Sequence, residues 1–95
     1  MKKYNFGQRV IVTAVLKRET TLSTRDRGYR DRVWVSHPLK APRGGIFLGL
    51  RNLNDGHYWQ EDRSYLEQHY FTAALVIFSE RENPVYVNMD SINPL

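Results

Sequence analysis

The sequence predicts a mainly all-β fold: five short strands curled into a small barrel, with a long loop after the first strand and a short 3-10 turn near the C-terminus. Three observations carry that reading. Segments of four to ten residues alternate apolar with polar side chains or are dense in β-branched ones. Clusters of Gly, Pro, Asn and Asp punctuate them. Helical periodicity is almost absent, and an open sheet this small would leave edges exposed that closure removes.

The elements follow in order. Residues 8–17 (QRVIVTAVLK) place Val10, Val12, Ala14 and Leu16 on one face and Ile11, Thr13 and Val15 on the other, a strand buried on both sides for part of its length. Residues 19–31 turn to Thr, Ser, Asp, Arg and Gly, with only Leu22 and Tyr29 as large apolar groups, and read as a long loop. Residues 32–37 alternate again, with Val33 and Val35 opposed to Arg32, Trp34 and Ser36, until Pro38 ends the strand. Pro42-Arg43-Gly44-Gly45 reads as a turn, after which Ile46, Leu48 and Leu50 start a third strand. Gly49 at its centre signals a bulge or a close backbone approach.

Asn54-Asp55-Gly56 reads as a hairpin turn before Tyr58-Trp59. Residues 61–69 offer only Tyr65 and Leu66 to a core, so they form a loose turn or loop. Residues 69–79 are the most apolar stretch. Ala73, Ala74 and Leu75 favour a helix there, but the flanking β-branched and aromatic residues favour a strand, with Phe71, Ala73, Leu75 and Ile77 opposed to Tyr70, Thr72, Ala74, Val76 and Phe78. Asn83-Pro84 is a turn, Val85-Tyr86-Val87 a short last strand, and Met89–Ile92 one turn of 3-10 helix stopped by Pro94.

This order of pieces resembles the SH3-like small β-barrel. Gly7-Gln8-Arg9-Val10 opens the first strand, residues 19–31 stand in place of its long first loop, and Pro84–Val87 precedes the terminal turn. The resemblance covers nearly the whole chain at the level of pattern. It departs from the peptide-binding members, because residues 22–29 carry Arg25, Asp26 and Arg27 where those have an acidic-aromatic series, which argues against proline-rich ligands. The run Gly45–Gly56 and the closing Asn83–Val87 also look like small proteins of bacteriophages and prophages, a likeness that implies no activity.

A length of 95 residues fits one domain, 1–95, and leaves no room for a cleft between two lobes. The absence of cysteine excludes disulfides, thiolate zinc sites and a cysteine nucleophile. No apolar run approaches the roughly 20 residues of a membrane helix, and no apolar leader follows Met1-Lys2-Lys3, so the expectation is a soluble, cytoplasmic protein with no membrane partner.

Charge is distributed unevenly. Residues 1–51 carry twelve Lys/Arg against three Asp/Glu, a net +9, and residues 52–95 carry two Arg against seven acids, a net −5. Folding one half against the other neutralises part of this. Eight of the basic residues in the first half are Arg, whose planar fork suits bidentate contact with phosphate or carboxylate.

Catalytic chemistry is nearly absent from the pattern. His37, His57 and His69 have none of the short spacings that build metal sites. Ser36 and His37 are neighbours on a strand and point to opposite faces. Glu61-Asp62 and Glu80 with Glu82 lie where solvated acids are expected, and Pro42–Gly45 lacks the following helix that a phosphate loop needs. The expectation is a non-enzyme with no metal and no small-molecule cofactor. The basic residues with an interleaved aromatic remain: Arg25, Arg27, Tyr29, Arg30 and Arg32, with Lys40, Arg43 and Arg51 extending the surface if their loops lie on the same side. Guanidinium groups contact phosphate or carboxylate, and an exposed ring offers a stacking face. Alternating Arg and Asp also pair with one another. Trp34, Tyr58 and Trp59 read as core or rim aromatics ahead of a ligand cage. The leading function is a binding or assembly module using residues 19–32 to contact a protein partner or itself. The alternative is DNA or RNA bound without sequence preference.

Overall fold

The computed structural model describes residues 3–22, 29–59 and 65–95. The chain forms β1 (Arg9–Leu22), β2 (Tyr29–Trp59), β3 (Tyr65–Ile77), β4 (Val85–Asn88), a 3-10 turn at Met89–Ser91 and β5 (Ile92–Pro94). They make one antiparallel five-stranded sheet in the order β2-β3-β4-β1-β5, with β2 also paired to β1. No α-helix occurs among the described residues.

Two features of the expected layout are corrected. The second and third strands are one strand of 31 residues, β2, whose first half pairs with β1 from Leu22↔Arg30 to Arg9↔Ile46 and whose second half pairs with β3 from Ile46↔Ile77 to Tyr58↔Tyr65. The loop expected at 19–31 is strand at both described ends, since 19–22 and 30–31 belong to that ladder and Tyr29 opens β2; 23–28 lie outside the described residues.

The turn residues inside β2 have a different use. Between Val12↔Arg43 and Ala14↔Pro38, β1 contributes only Thr13 while β2 contributes Leu39 to Pro42. Both prolines flank this interruption, where a missing N–H costs no ladder bond. Gly45 then sits where β2 passes from β1 to β3. A Cβ there would lie 2.6 Å from Val76 Cγ1 and 3.0 Å from the Ile77 carbonyl oxygen, so only glycine admits the approach. The register shifts again between Phe47 and Gly49, where Gly49 has φ +146, the bulge its position predicts. Asn54-Asp55-Gly56 is a correction as well. It makes no hairpin turn but remains in β2 at a register shift between Asp55 and Gly56, against His69 and Glu67. The loose turn expected at 61–69 is strand from Tyr65 onward, and 60–64 lie outside the described residues.

The core has two parts because the strands bury both faces. Val10, Val12, Val15, Phe47, Ala74, Val76, Val87 and Ile92 form the larger cluster. Leu16, Leu53 and Ala73 form the smaller, joined by Trp34, Phe71 and Tyr86. Successive residues of β3 and β4 serve different clusters: Ala74 and Val76 one and Ala73 the other, Val87 one and Tyr86 the other. This is the period-two alternation expected for 69–79. In β1 the expected alternation slips. Val15 joins Val10 and Val12, and Leu16 faces the other way, because the irregularity between Val12 and Ala14 intervenes. The radius of gyration is 15.4 Å, against about 12 Å for a compact chain of this length, since both long hairpins run past the larger core.

Candidate functional site

β1 meets β4 only at Leu16↔Tyr86, yet its pairing with β2 continues through Lys17↔Val35, Arg18↔Trp34, Glu19↔Val33 and Thr20↔Arg32 to Leu22↔Arg30. Residues 17–22 and 29–35 therefore form a two-stranded arm, and of the basic residues singled out in the sequence Arg30 and Arg32 lie on it.

Side-chain alternation sorts the arm into two faces. On one, Arg18 places its guanidinium carbon 5.3 Å from the Trp34 ring centroid, and Arg32 is the next residue of β2 on that side, half-buried. Trp34 meets Tyr86 edge-on at 5.2 Å. Its amide donates to Asp55 Oδ1 at 2.9 Å, and its indole Nε1–H donates to the Asn54 carbonyl at 3.1 Å. On the other face, His37 Nε2 lies 3.2 Å from Glu19 Oε1, over half-buried Val33 and Val35. Trp34 is thus a packing and clamping residue that ties the first half of β2 to the second.

The candidate binding residues separate. Arg25 and Arg27 lie outside the described residues. Tyr29 and Arg30 are the first two residues of β2, and Arg32 follows on the same arm. Lys40 is exposed in the interruption between the two prolines. Arg43 is engaged: it forms a two-bond pair with Glu82 at 3.0 and 3.4 Å and stacks 4.3 Å from the centroid of Phe78, closing the end of the larger core. Arg51 is exposed, opposite Ala73, and its Nη1 donates to the Leu50 carbonyl at 2.7 Å. Arg32 and Arg43 stand opposite Thr20 and Val12, about 26 Å apart along β1 at roughly 3.3 Å per residue. Arg43 therefore lies well away from Arg32 along the sheet.

The sequence reading missed a groove of about 950 Å³ between the N-terminal segment, the 3-10 turn and the β2–β3 sheet, lined by Tyr4, Phe47, Leu50, Thr72 and Met89, with Lys3, Asn5 and Asp90 at its polar margin. Leu50 is 52% exposed there, and no pattern in β2 distinguishes it from its buried neighbours. Tyr4 anchors the wall: its hydroxyl donates to the Ile92 carbonyl at 3.0 Å, and burial pushes its pKa up.

Among the described residues no three His, Cys, Asp or Glu come together as metal ligands, and no helix is long and apolar enough to cross a membrane. Compared with models of protein families, with curated proteins and with solved structures, the chain matches none.

Proposed function

We propose that the chain is a non-enzymatic binding module, an SH3-like small β-barrel that contacts an acidic protein surface through residues 19–32. The observation that carries this reading is the six-pair extension of the β1–β2 ladder beyond Leu16↔Tyr86. It makes residues 19–22 and 30–32 a supported arm, whose ordering cost is met by backbone pairing before any ligand arrives. The return of the pairings from β1 through β2, β3 and β4 to β1 supports the barrel. The arm's described charges are mixed in sign, with Lys17, Arg18 and Arg32 against Glu19 and Asp31. That mixture suits a protein surface better than the uniformly negative backbone of a nucleic acid.

The test is titration of wild type, and of a variant with Arg25, Arg27, Arg30 and Arg32 all replaced by Ser, against poly-glutamate and against random-sequence duplex DNA at low salt. Circular dichroism checks that the variant folds. The expected result is poly-glutamate binding by wild type and its loss in the folded variant. Equal binding by both proteins, or no binding by wild type, overturns the reading. DNA binding whose log-log salt slope is about −0.9 per neutralised phosphate, with no binding to poly-glutamate, replaces it with the nucleic-acid alternative.

A further inference from the structure

We infer that the partner docks on one face of the arm only and is anchored there by Arg18, a residue just outside the segment singled out in the sequence. The inference rests on the arm as the contact for an acidic protein surface, and it names which side of the arm, and which guanidinium, receives the carboxylates. The ladder from Ala14↔Pro38 to Leu22↔Arg30 runs without a register shift, so alternation assigns residues 17–20 and 31–35 to faces. Arg18, opposite Trp34, and Arg32, opposite Thr20, fall on one face. Lys17, Glu19 and Asp31 fall on the other. Signs that mix along the sequence are therefore separated in space.

The two acids of the arm's described residues lie behind a partner on the arginine face and do not oppose it. Glu19 Oε1 is 3.2 Å from His37 Nε2 on the far side. Asp55, which approaches from the second half of β2, turns its Oδ1 to the Trp34 amide.

Arg18 is the anchor because its position is fixed beforehand. It is exposed, and its guanidinium carbon lies 5.3 Å from the centroid of the Trp34 ring. The ring is itself held, by edge-on contact with Tyr86 at 5.2 Å and by the indole hydrogen bond to Asn54 at 3.1 Å. A guanidinium stacked on a held indole keeps its planar fork for bidentate contact with a carboxylate and loses little freedom when one arrives. Arg32, half-buried, adds a second positive charge as the diagonal cross-strand neighbour of Arg18, about 7–8 Å away between backbones. The partner this fits carries carboxylates in a row along one side.

Titration with poly-glutamate tests this on wild type and three variants, each one unit less positive: Lys17→Gln on the far face, and Arg18→Gln and Thr20→Glu on the arginine face. The salt is the highest at which wild type still binds, so that screening removes the influence of distant charge. Circular dichroism and melting temperature check the fold. Thr20 is exposed, and a glutamate there stands opposite Arg32, so Thr20→Glu carries the test even where Arg18→Gln fails to fold. Arg18→Gln is expected to weaken binding about tenfold, the loss of one charge-assisted contact. Thr20→Glu should weaken it several-fold by offering Arg32 a carboxylate from its own chain, and Lys17→Gln by less than about twofold. A loss from Lys17→Gln as large as that from either of the others overturns the inference, because net charge alone then accounts for binding. Absence of binding by wild type defeats the arm's proposed role and this inference with it, a result distinct from equal weakening among proteins that bind.

Discussion

The backbone amide of Trp34 donates to the side-chain carboxylate of Asp55, 2.9 Å away, so that one stretch of β2 is held by another stretch of the same strand twenty-one residues later. The indole Nε1–H reinforces the tie by donating to Asn54, next along. An amide on a sheet edge that receives a carboxylate is closed to a passing strand, which makes Asp55 an edge guard as well as a clamp.

Asp55→Ala therefore leaves the Trp34 amide without its acceptor in a half-buried setting and is expected to lower stability by about 1–3 kcal/mol, the cost typical of a stranded polar group. Asp55→Asn keeps an acceptor oxygen and should recover most of it. Urea unfolding checks both. If the Ala variant matches wild type, the contact is incidental.

Gly44 and Gly45 are adjacent yet should respond oppositely to alanine. Gly45→Ala forces a Cβ against Val76 and the Ile77 carbonyl and is expected to cost about 1–3 kcal/mol. Gly44→Ala meets open space and should raise stability by about 0.4–1 kcal/mol through the unfolded chain. Thermal melts of the two variants check the contrast.

Arg43 both pairs with Glu82 and covers Phe78. The pair is nearly half exposed on each side, so Glu82→Gln should cost no more than about 1 kcal/mol and less at high salt. Arg43→Ala also removes the stacked stem and should cost more, with a part that salt does not screen. Equal losses from the two substitutions in high salt would show that the ring contact contributes nothing.

Tyr4 gives the alkaline limit. Its pKa in the folded protein stands above the ordinary tyrosine value because burial disfavours the phenolate. A raised pKa contributes stability that is complete below the unfolded value and disappears as pH climbs through the folded one. Unfolding free energy should therefore fall above pH 10 in wild type, and the fall should be shallower in Tyr4→Phe. Parallel pH profiles for the two proteins would refute the assignment.

The strands themselves were legible because alternation and β-branching report burial directly. The run 69–79 shows both faces in its letters, and Gly49 announces its bulge. Punctuation misled where one signal serves two structures. Pro42-Arg43-Gly44-Gly45 and Asn54-Asp55-Gly56 have the composition of turns, but each relieves a strand that must shift register or change partner, and local sequence does not tell a bulge from a turn. The polar letters of 19–22 and 29–31 read as loop because a two-stranded arm outside a core needs no apolar pattern. Of the candidate site, the arm's basic residues were visible as composition. That Arg43 closes the end of the core and Arg51 sits opposite Ala73 depends on pairings between distant segments.

The continuity of β2 has a consequence for how the molecule is made. Its first half can zip onto β1 once residue 46 has left the ribosome, but the contact that brings the circuit back, Leu16 with Tyr86, must wait until some forty further residues have been synthesised. In the interval the apolar side of a growing hairpin is uncovered, and a neighbouring nascent chain offers it the same strand, so crowded translation is the condition under which this protein would exchange segments with its twin.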